Sequence, residues 1–151
     1  MDQLGSQFLT FTLGDEEYGI DLLKVQEIKG CPAITRIPNT PPHIRGVMNL
    51  RGAVVPVLDL RARFGLPEPA DRKLAVIILV NIRAKIVGLV VDAVSDVLDV
   101  KREDVEAAPA LGDGIDTTFL TGMAKAGEKL ILLLDLDRIA GLSELAASVA
   151  A

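Results

Sequence analysis

The stretch LAVIILVNIRAKIVGLVV, residues 74–91, decides the fold class of this chain. It contains two apolar runs, residues 74–82 and 86–91, separated by the polar residues 83–85. Two short apolar runs around a short polar turn are typical of a β-hairpin. Because the runs are nearly unbroken, we expect both faces of these strands to be buried.

Strand patterns continue on both sides of this hairpin. Residues 8–13 alternate between two faces, and residues 18–20 would form the returning strand after a turn. The other predicted strands are residues 33–37, 47–50, 53–58, 94–100, 119–124 and 129–134. Short helices are expected after Asp21, Asp59 and Asp135, since aspartate is a favoured N-cap. About ten short strands with only short helices predict an all-β barrel or paired barrels in one domain.

The segment after Asp21 is ambiguous in its periodicity. If it is a helix, Leu22 and Val25 share one face, whereas Ile28 lies off that stripe. Gly30 would then end the helix.

The composition limits the function classes. The chain has 151 residues, a net charge of −5 and a pI near 4.9, which argues against non-specific nucleic-acid binding. The longest apolar run, residues 74–80, is far shorter than the ~20 residues that span a bilayer. The N-terminus lacks a secretory pattern, and the single cysteine excludes an intrachain disulfide. A cytoplasmic protein is the simplest interpretation.

The search for catalytic chemistry gives no convergent set of titratable groups. His43 is the only histidine and is expected to lie exposed in a loop, so a two-histidine metal site is excluded. Cys31 has no nearby cysteine and is expected to be a packed or surface thiol. We therefore expect neither an enzyme nor a bound cofactor or metal.

Four collinear blocks resemble the CheW family of bacterial chemotaxis coupling proteins. They are FLTFTLGDEEYGIDLLKVQEI (8–28), IPNTPPHIRGVMNLRGAVVPVLDLR (37–61), VGLVVDAVSDVL (87–98) and FLTGMAKAGEKLILLLDLDRI (119–139). Together they cover nearly the whole chain, which makes the resemblance specific.

The resemblance implies two intertwined five-stranded SH3-like β-barrels over residues 1–141, followed by a weakly ordered Ala-rich tail, residues 142–151. It implies a non-catalytic cytoplasmic adaptor that joins the tips of chemoreceptors to the regulatory domain of the histidine kinase CheA. Alternating adaptor and kinase domains would form rings in membrane-associated receptor arrays, which the adaptor reaches only through its partners.

The resemblance also implies site residues. A receptor groove between the barrels would be formed by Leu9, Leu22, Val25, Ile28 and Val91, with Glu27 and Arg51 as a polar pair at its edge. For Leu9, an ordinary core position explains the residue equally well. A carboxylate beside a guanidinium would orient it toward a partner.

A kinase-facing surface on the other barrel would contain Ile37, Ile44, Arg45 and Val47. A second ring contact would involve residues 106–111. That loop departs from the family pattern because it is small and apolar, which puts contacts at Ala110 and Leu111 in doubt.

Two alternatives stay open at this point. A small β-barrel that binds a ligand or metal would need a concave pocket with convergent polar groups. A coupling protein of a chemotaxis-like pathway for pili or gene regulation would have the same sequence features as one that serves swimming.

Overall fold

A computed structural model describes residues 5–30, 34–41, 43–67, 75–106 and 119–140. In this part of the chain the structure has eleven strands and four very short helices. The strands are β1 (Gly5–Leu13), β2 (Glu16–Asp21), β3 (Val25–Gly30), β4 (Ile44–Leu50), β5 (Ala53–Asp59), β6 (Val76–Ile82), β7 (Lys85–Val91), β8 (Ala93–Lys101), β9 (Val105–Glu106), β10 (Leu120–Ala126) and β11 (Lys129–Leu134). The helices are α1 (Leu60–Arg63), α2 (Leu136–Ala140) and two 3-10 helices, Leu22–Lys24 and Arg102–Asp104.

The strands form two sheets. The six-stranded sheet has the order β8-β1-β2-β11-β10-β9, and the five-stranded sheet has the order β3-β6-β7-β5-β4. Most neighbours are antiparallel, but β2 pairs with β11, and β5 with β7, in parallel. Each sheet therefore combines strands that are far apart in sequence.

Three apolar clusters hold the sheets together. The six-stranded sheet curls, so that side chains on one of its faces pack against each other: Val100, Ala124, Ile131 and Leu133. One face of the five-stranded sheet does the same around Met48, Val55, Val57, Ile77, Leu79 and Val90. The opposite faces of both sheets meet in a large central cluster, which includes Leu9, Phe11, Ile78, Val80 and Leu89. Both sheets are therefore curled, and each is buried on two sides.

Four of the five aromatic residues stack where the two sheets meet. The ring centroids of Phe11 and Tyr18 lie 6.0 Å apart, and those of Tyr18 and Phe64 lie 5.6 Å apart. Phe64 continues the stack to Phe119 at 5.6 Å. The few aromatic side chains of this sequence are thus concentrated at the junction.

The two halves of the chain repeat one order of elements: hairpin, single strand, hairpin, short helix. The first half contains β1–β2, β3, β4–β5 and α1, and the second contains β6–β7, β8, β10–β11 and α2. Each sheet takes its first hairpin from one half and its other strands from the other half. The first hairpin of each half is therefore exchanged into the sheet that the other half builds, and this exchange explains how the two sheets intertwine.

The registers of the two halves agree in detail. Gly46 lies at a bulge between β4 and β5, and Gly122 at a bulge between β10 and β11. A Cβ atom at Gly46 would lie 2.1 Å from the carbonyl oxygen of Thr35, and one at Gly122 would lie 2.7 Å from that of Glu106. Both bulges therefore need glycine because a crossing segment passes close to the backbone.

The all-β prediction is confirmed, and the described hairpin of β6 and β7 is buried on both faces. The strand counts are five and six, because the two-residue β9 adds to one sheet. Asp59 caps α1 by accepting from Arg61 N at 3.1 Å, and Asp135 accepts from Arg138 N at 3.3 Å, both as expected. The predicted tail, residues 142–151, lies outside the described residues.

Three local predictions were wrong. The helix after Asp21 ends at Lys24, and residues from Val25 onward form β3. His43 is buried, with 8% of its surface exposed, because its carbonyl oxygen accepts from Asp59 N and its ring lies 3.2 Å from Arg63 Nη1. In the predicted strand at residues 33–37, the described part contains only an isolated bridge between Thr35 and Val47.

Candidate protein-interaction site

The edge strand β3 presents a partly exposed apolar surface. Asp21 Oδ1 accepts from Leu23 N at 3.0 Å, which starts the 3-10 helix that leads into β3. Val25 pairs with Val80, and Ile28 pairs with Ile78, with a bulge between Val25 and Glu27. Because Ile78 and Val80 share a face, the bulge places Val25 and Ile28 on that same face although they are three residues apart.

The predicted receptor residues divide into a buried and an accessible group. Leu9 and Val91 lie in the central cluster with 3% and 1% of their surfaces exposed. Leu22 and Val25 are half-buried at the margin of that cluster, and Ile28 is 43% exposed. Leu22, Val25 and Ile28 thus form an edge where the central core reaches the surface, and Leu9 and Val91 support it from inside.

Glu27 and Arg51 form the predicted polar pair. Arg51 Nη2 donates to Glu27 Oε1 at 2.8 Å, and Lys29 Nζ lies 3.5 Å from Glu27 Oε2. Glu27 belongs to β3, and Arg51 to the turn that follows β4; β3 and β4 are the two edge strands of the five-stranded sheet. The pair therefore bridges the two edges of this curled sheet.

The turn that carries Arg51 has an unusual backbone. Arg51 has φ +50° and Gly52 has φ +91°, and Gly52 N donates to Asn49 Oδ1 at 2.8 Å. Two consecutive positive φ values in a two-residue hairpin turn match the twist of antiparallel strands. The turn directs the Arg51 side chain toward β3 while leaving it 69% exposed.

Each member of the pair stabilises the ionised form of the other. The hydrogen bond and positive charge of Arg51 lower the pKa of Glu27, to which Lys29 contributes less. Glu27 in turn raises the pKa of Arg51. Both groups are therefore ionised at neutral pH, and Arg51 and Lys29 leave one excess positive charge beside the apolar edge.

The predicted kinase-facing residues lie at the β4 edge of the same five-stranded sheet, and not on the other barrel as expected. Ile44 is buried, Ile37 and Val47 are half-buried, and Arg45 Nη2 lies 3.5 Å from Asp59 Oδ2. Val47 pairs with Pro56 across the β4–β5 hairpin, and the same outer face continues to Val54. This face becomes more exposed toward the turn.

The sequence-based search missed five exposed apolar residues: Leu23 (93% exposed), Val54 (68%), Leu130 (47%), Val97 (43%) and Val105 (37%). Val97 pairs with Leu9 at the edge of the six-stranded sheet, in the position that Ile28 has beside Ile78 in the other sheet. The repeat of elements in the two halves was the signal that could have identified Val97. No signal in the sequence distinguishes Leu23 from its half-buried neighbours Leu22 and Val25.

Part of the predicted ring contact is described. Glu106 forms an exposed ion pair with Lys125, with 2.7 Å between Oε2 and Nζ, whereas Ala110 and Leu111 lie outside the described residues. Within the described ranges there is no cluster of three potential metal ligands. None of the described helices has the length and apolarity needed to cross a membrane.

Sequence and structure comparisons agree on one family. A family model described as "CheW-like domain" matches residues 7–144. The chain is 45% identical to "Chemotaxis protein CheW" of Klebsiella aerogenes over 145 residues, covering 96% of this chain and 87% of that protein. It is 33% identical to "Chemotaxis protein CheW" of Bacillus subtilis, covering 89% of this chain and 86% of that protein.

A solved structure has the same fold. It is the crystal structure of the scaffolding protein TtCheW from Thermoanaerobacter tengcongensis, with a TM-score of 0.81 and 38% identity. The match covers 87% of this chain and 89% of that chain. With its two exchanged β-sheets and this similarity over nearly its full length, the chain belongs to the CheW family.

Proposed function

We propose that this chain is a non-catalytic adaptor that couples chemoreceptor signalling tips to the histidine kinase CheA. The observation that carries the proposal is the apolar edge of Leu22, Val25 and Ile28, which lies beside the Glu27–Arg51 pair. The chemotaxis names of the relatives and the scaffolding description of TtCheW support it.

The apolar edge fits a receptor segment that presents an apolar stripe. The half-buried side chains lose their remaining contact with water when a partner covers them, which favours binding. The adjacent Glu27 and Arg51 side chains would then fix the register and orientation of that segment, since charged groups contribute mainly to specificity and association rate.

The outer face of the β4–β5 hairpin fits the kinase domain. It offers Val47, Pro56 and Val54 beside the Arg45–Asp59 ion pair. This face and the receptor edge belong to the same five-stranded sheet, at its two opposite edges. One sheet would therefore contact both partners, and the two surfaces would adjoin at the β4–β5 turn, where Arg51 precedes Val54 by three residues.

The cellular setting follows from these partners. The adaptor would act in the cytoplasm and reach membrane-associated arrays through the receptors that it binds. Ring formation with kinase domains would use a second surface that includes Glu106.

Reconstitution of a ternary complex tests the proposal. Purified chain, a receptor signalling fragment and the kinase are mixed, and pairwise binding and kinase activity are measured. Ile28→Ser and Val54→Ser form a matched pair, because each replaces one exposed apolar side chain. We expect Ile28→Ser to weaken receptor binding alone and Val54→Ser to weaken kinase binding alone, each by about tenfold.

Failure of the folded, unmodified chain to bind either partner would overturn the adaptor function. If both partners bind but the two variants exchange their effects, the assignment of the two faces is wrong.

A further inference from the structure

A bidentate ion pair joins α1 to the junction between β7 and β8. Arg61 Nε donates to Asp92 Oδ1 at 2.8 Å, and Arg61 Nη2 donates to Asp92 Oδ2 at 2.7 Å. The Arg61 side chain is 13% exposed and that of Asp92 is 24% exposed. Parallel hydrogen bonds of this kind fix the relative orientation of the two groups as well as their distance.

The same carboxylate also holds the other sheet. Asp92 Oδ2 accepts from Gly14 N at 2.8 Å, and Asp92 N donates to Thr12 O at 3.1 Å. Gly14 belongs to the β1–β2 turn of the six-stranded sheet, whereas Arg61 follows β5 of the five-stranded sheet. Asp92 therefore binds one group from each sheet at a single point.

The guanidinium of Arg61 has little freedom to move. Arg61 Nη1 donates to Pro67 O at 2.7 Å, and Arg61 N is bound by the Asp59 cap. The guanidinium is thus bonded in two directions, and the backbone beneath it is held in place.

The equivalent place in the other half of the chain lacks such a connection. When the β1–β2 turn is aligned with the β6–β7 turn, Leu23 occupies the position of Asp92. When the β4–β5 turn is aligned with the β10–β11 turn, Asp137 occupies the position of Arg61. Leu23 is 93% exposed. Asp137 instead pairs with Arg83 at 3.3 Å, with side chains 40% and 68% exposed. Among the described residues, the junction between the sheets therefore has a partly buried bidentate pair at Arg61 and Asp92 and only an exposed pair at the equivalent place.

We propose that Arg61 and Asp92 are positioning residues that fix the angle between the two sheets. The 3-10 helix with Leu22 contacts β1 of one sheet and β6 of the other, so the shape of the receptor edge depends on that angle. The hairpin face with Val54 belongs to one sheet alone. The pair would thus set the geometry in which a receptor and a kinase are held together, a consequence that rests on the proposed function.

Distance measurements between the sheets test the positioning role without any partner. In the full chain with Cys31→Ala, spin labels are placed at Ala53→Cys in the five-stranded sheet and at Glu128→Cys in the β10–β11 turn of the six-stranded sheet. Adding Asp92→Ala is expected to shift and widen the distance distribution. Asp137→Ala is the matched control, because it breaks the exposed pair at the equivalent position, and it should leave the distribution unchanged. An unchanged distribution in Asp92→Ala would overturn the proposal.

A second variant keeps the test informative if Asp92→Ala fails to fold. Arg61→Lys keeps the positive charge but cannot form the bidentate hydrogen bonds with Asp92. It is expected to widen the distribution less than Asp92→Ala, with cooperative unfolding retained. A distribution identical to that of the unmodified chain would count against the proposal.

Kinase activation then separates this inference from the adaptor function. We expect Arg61→Lys to bind the kinase within about twofold of the unmodified chain, because the Val54 face belongs to one sheet. Receptor binding should weaken, because the receptor edge changes shape with the angle between the sheets. Activation in the ternary complex should fall by about tenfold. If the unmodified chain binds neither partner, the adaptor function fails while the distance test still decides the positioning role. Undiminished activation would contradict the link between sheet angle and signalling.

Discussion

Arg51 occupies a backbone position that favours asparagine or glycine. Its φ of +50° is disfavoured for a residue with a long side chain, and Gly52 follows it with φ +91°. The contact with Glu27 is exposed, and exposed ion pairs contribute little to stability. A strained, exposed arginine is therefore better explained by a partner than by folding.

Charge reversal at Arg51 separates these two explanations. We expect Arg51→Glu to shift the melting temperature by less than about 3 °C while weakening receptor binding by about tenfold. Arg83→Glu is the control, because Arg83 also lies in a two-residue turn, has φ +51° and is 68% exposed. Thermal unfolding and receptor binding are measured for both variants. Equal loss of receptor binding in the two would show a non-specific charge effect.

The pKa of Glu27 reports the pair directly. Arg51 is the main cause that lowers this pKa below the ordinary value of 4.5, and Lys29 adds to it. Because the folded-state pKa is depressed, the stabilisation is present above the unfolded-state pKa and is lost as the pH falls through the folded-state pKa. Arg51→Gln should raise the Glu27 pKa toward its ordinary value, and Lys29→Gln should raise it less. A carboxyl carbon NMR titration measures both, and no rise in Arg51→Gln would mean that the pair does not form in solution.

At the scale of elements, hairpins and caps could be predicted because their determinants are local. Asp21, Asp59 and Asp135 each cap a short helix, as their positions indicated. The segment after Asp21 could not be predicted, because Leu22 and Val25 are spaced as on a helix. A bulge between Val25 and Glu27 gives a strand the same three-residue spacing between Val25 and Ile28. Periodicity alone does not separate a bulged strand from one helical turn.

Gly46 tests the role of the bulges. Its φ of +146° and the 2.1 Å approach of a Cβ atom to Thr35 O leave no room for a side chain. Gly46→Ala should therefore cost about 2 kcal/mol or more of unfolding free energy. Gly30→Ala in β3 is the control, since nothing lies within 4 Å of its Cβ position, and it should change the free energy by less than about 0.5 kcal/mol. Chemical denaturation gives both values, and equal stabilities would show that the segment at Thr35 moves away at little cost.

At the scale of the molecule, strand content could be predicted, but pairings between strands that are distant in sequence could not. The hydrogen bonds between Thr10 and Asp96 join residues 86 positions apart, and β2 pairs with β11 in parallel. Such pairings depend on packing between distant segments and leave no local pattern. Glu27 and Arg51 were likewise proposed from the family motif, and their 2.8 Å contact follows from the curl of the sheet.

The exchange of hairpins predicts that neither half folds alone. Residues 1–67 lack β8, which pairs with β1, and β6, which is the partner of β3. Residues 68–151 lack β3, which pairs with β6, and β2, which pairs with β11. We expect each fragment to give a poorly dispersed NMR spectrum and a one-to-one mixture to give the spectrum of the intact chain. A well-dispersed monomeric spectrum from either fragment would contradict the exchanged arrangement.

The exchanged hairpins also impose an order on folding during synthesis by the ribosome. The five-stranded sheet has all its strands once residue 91 has emerged, whereas the six-stranded sheet must wait for β10 and β11. Until then, the apolar side chains of β1 and β2 have no complete sheet to join and are exposed to aggregation. The sheet proposed to bind the kinase would thus be complete on the nascent chain before its companion.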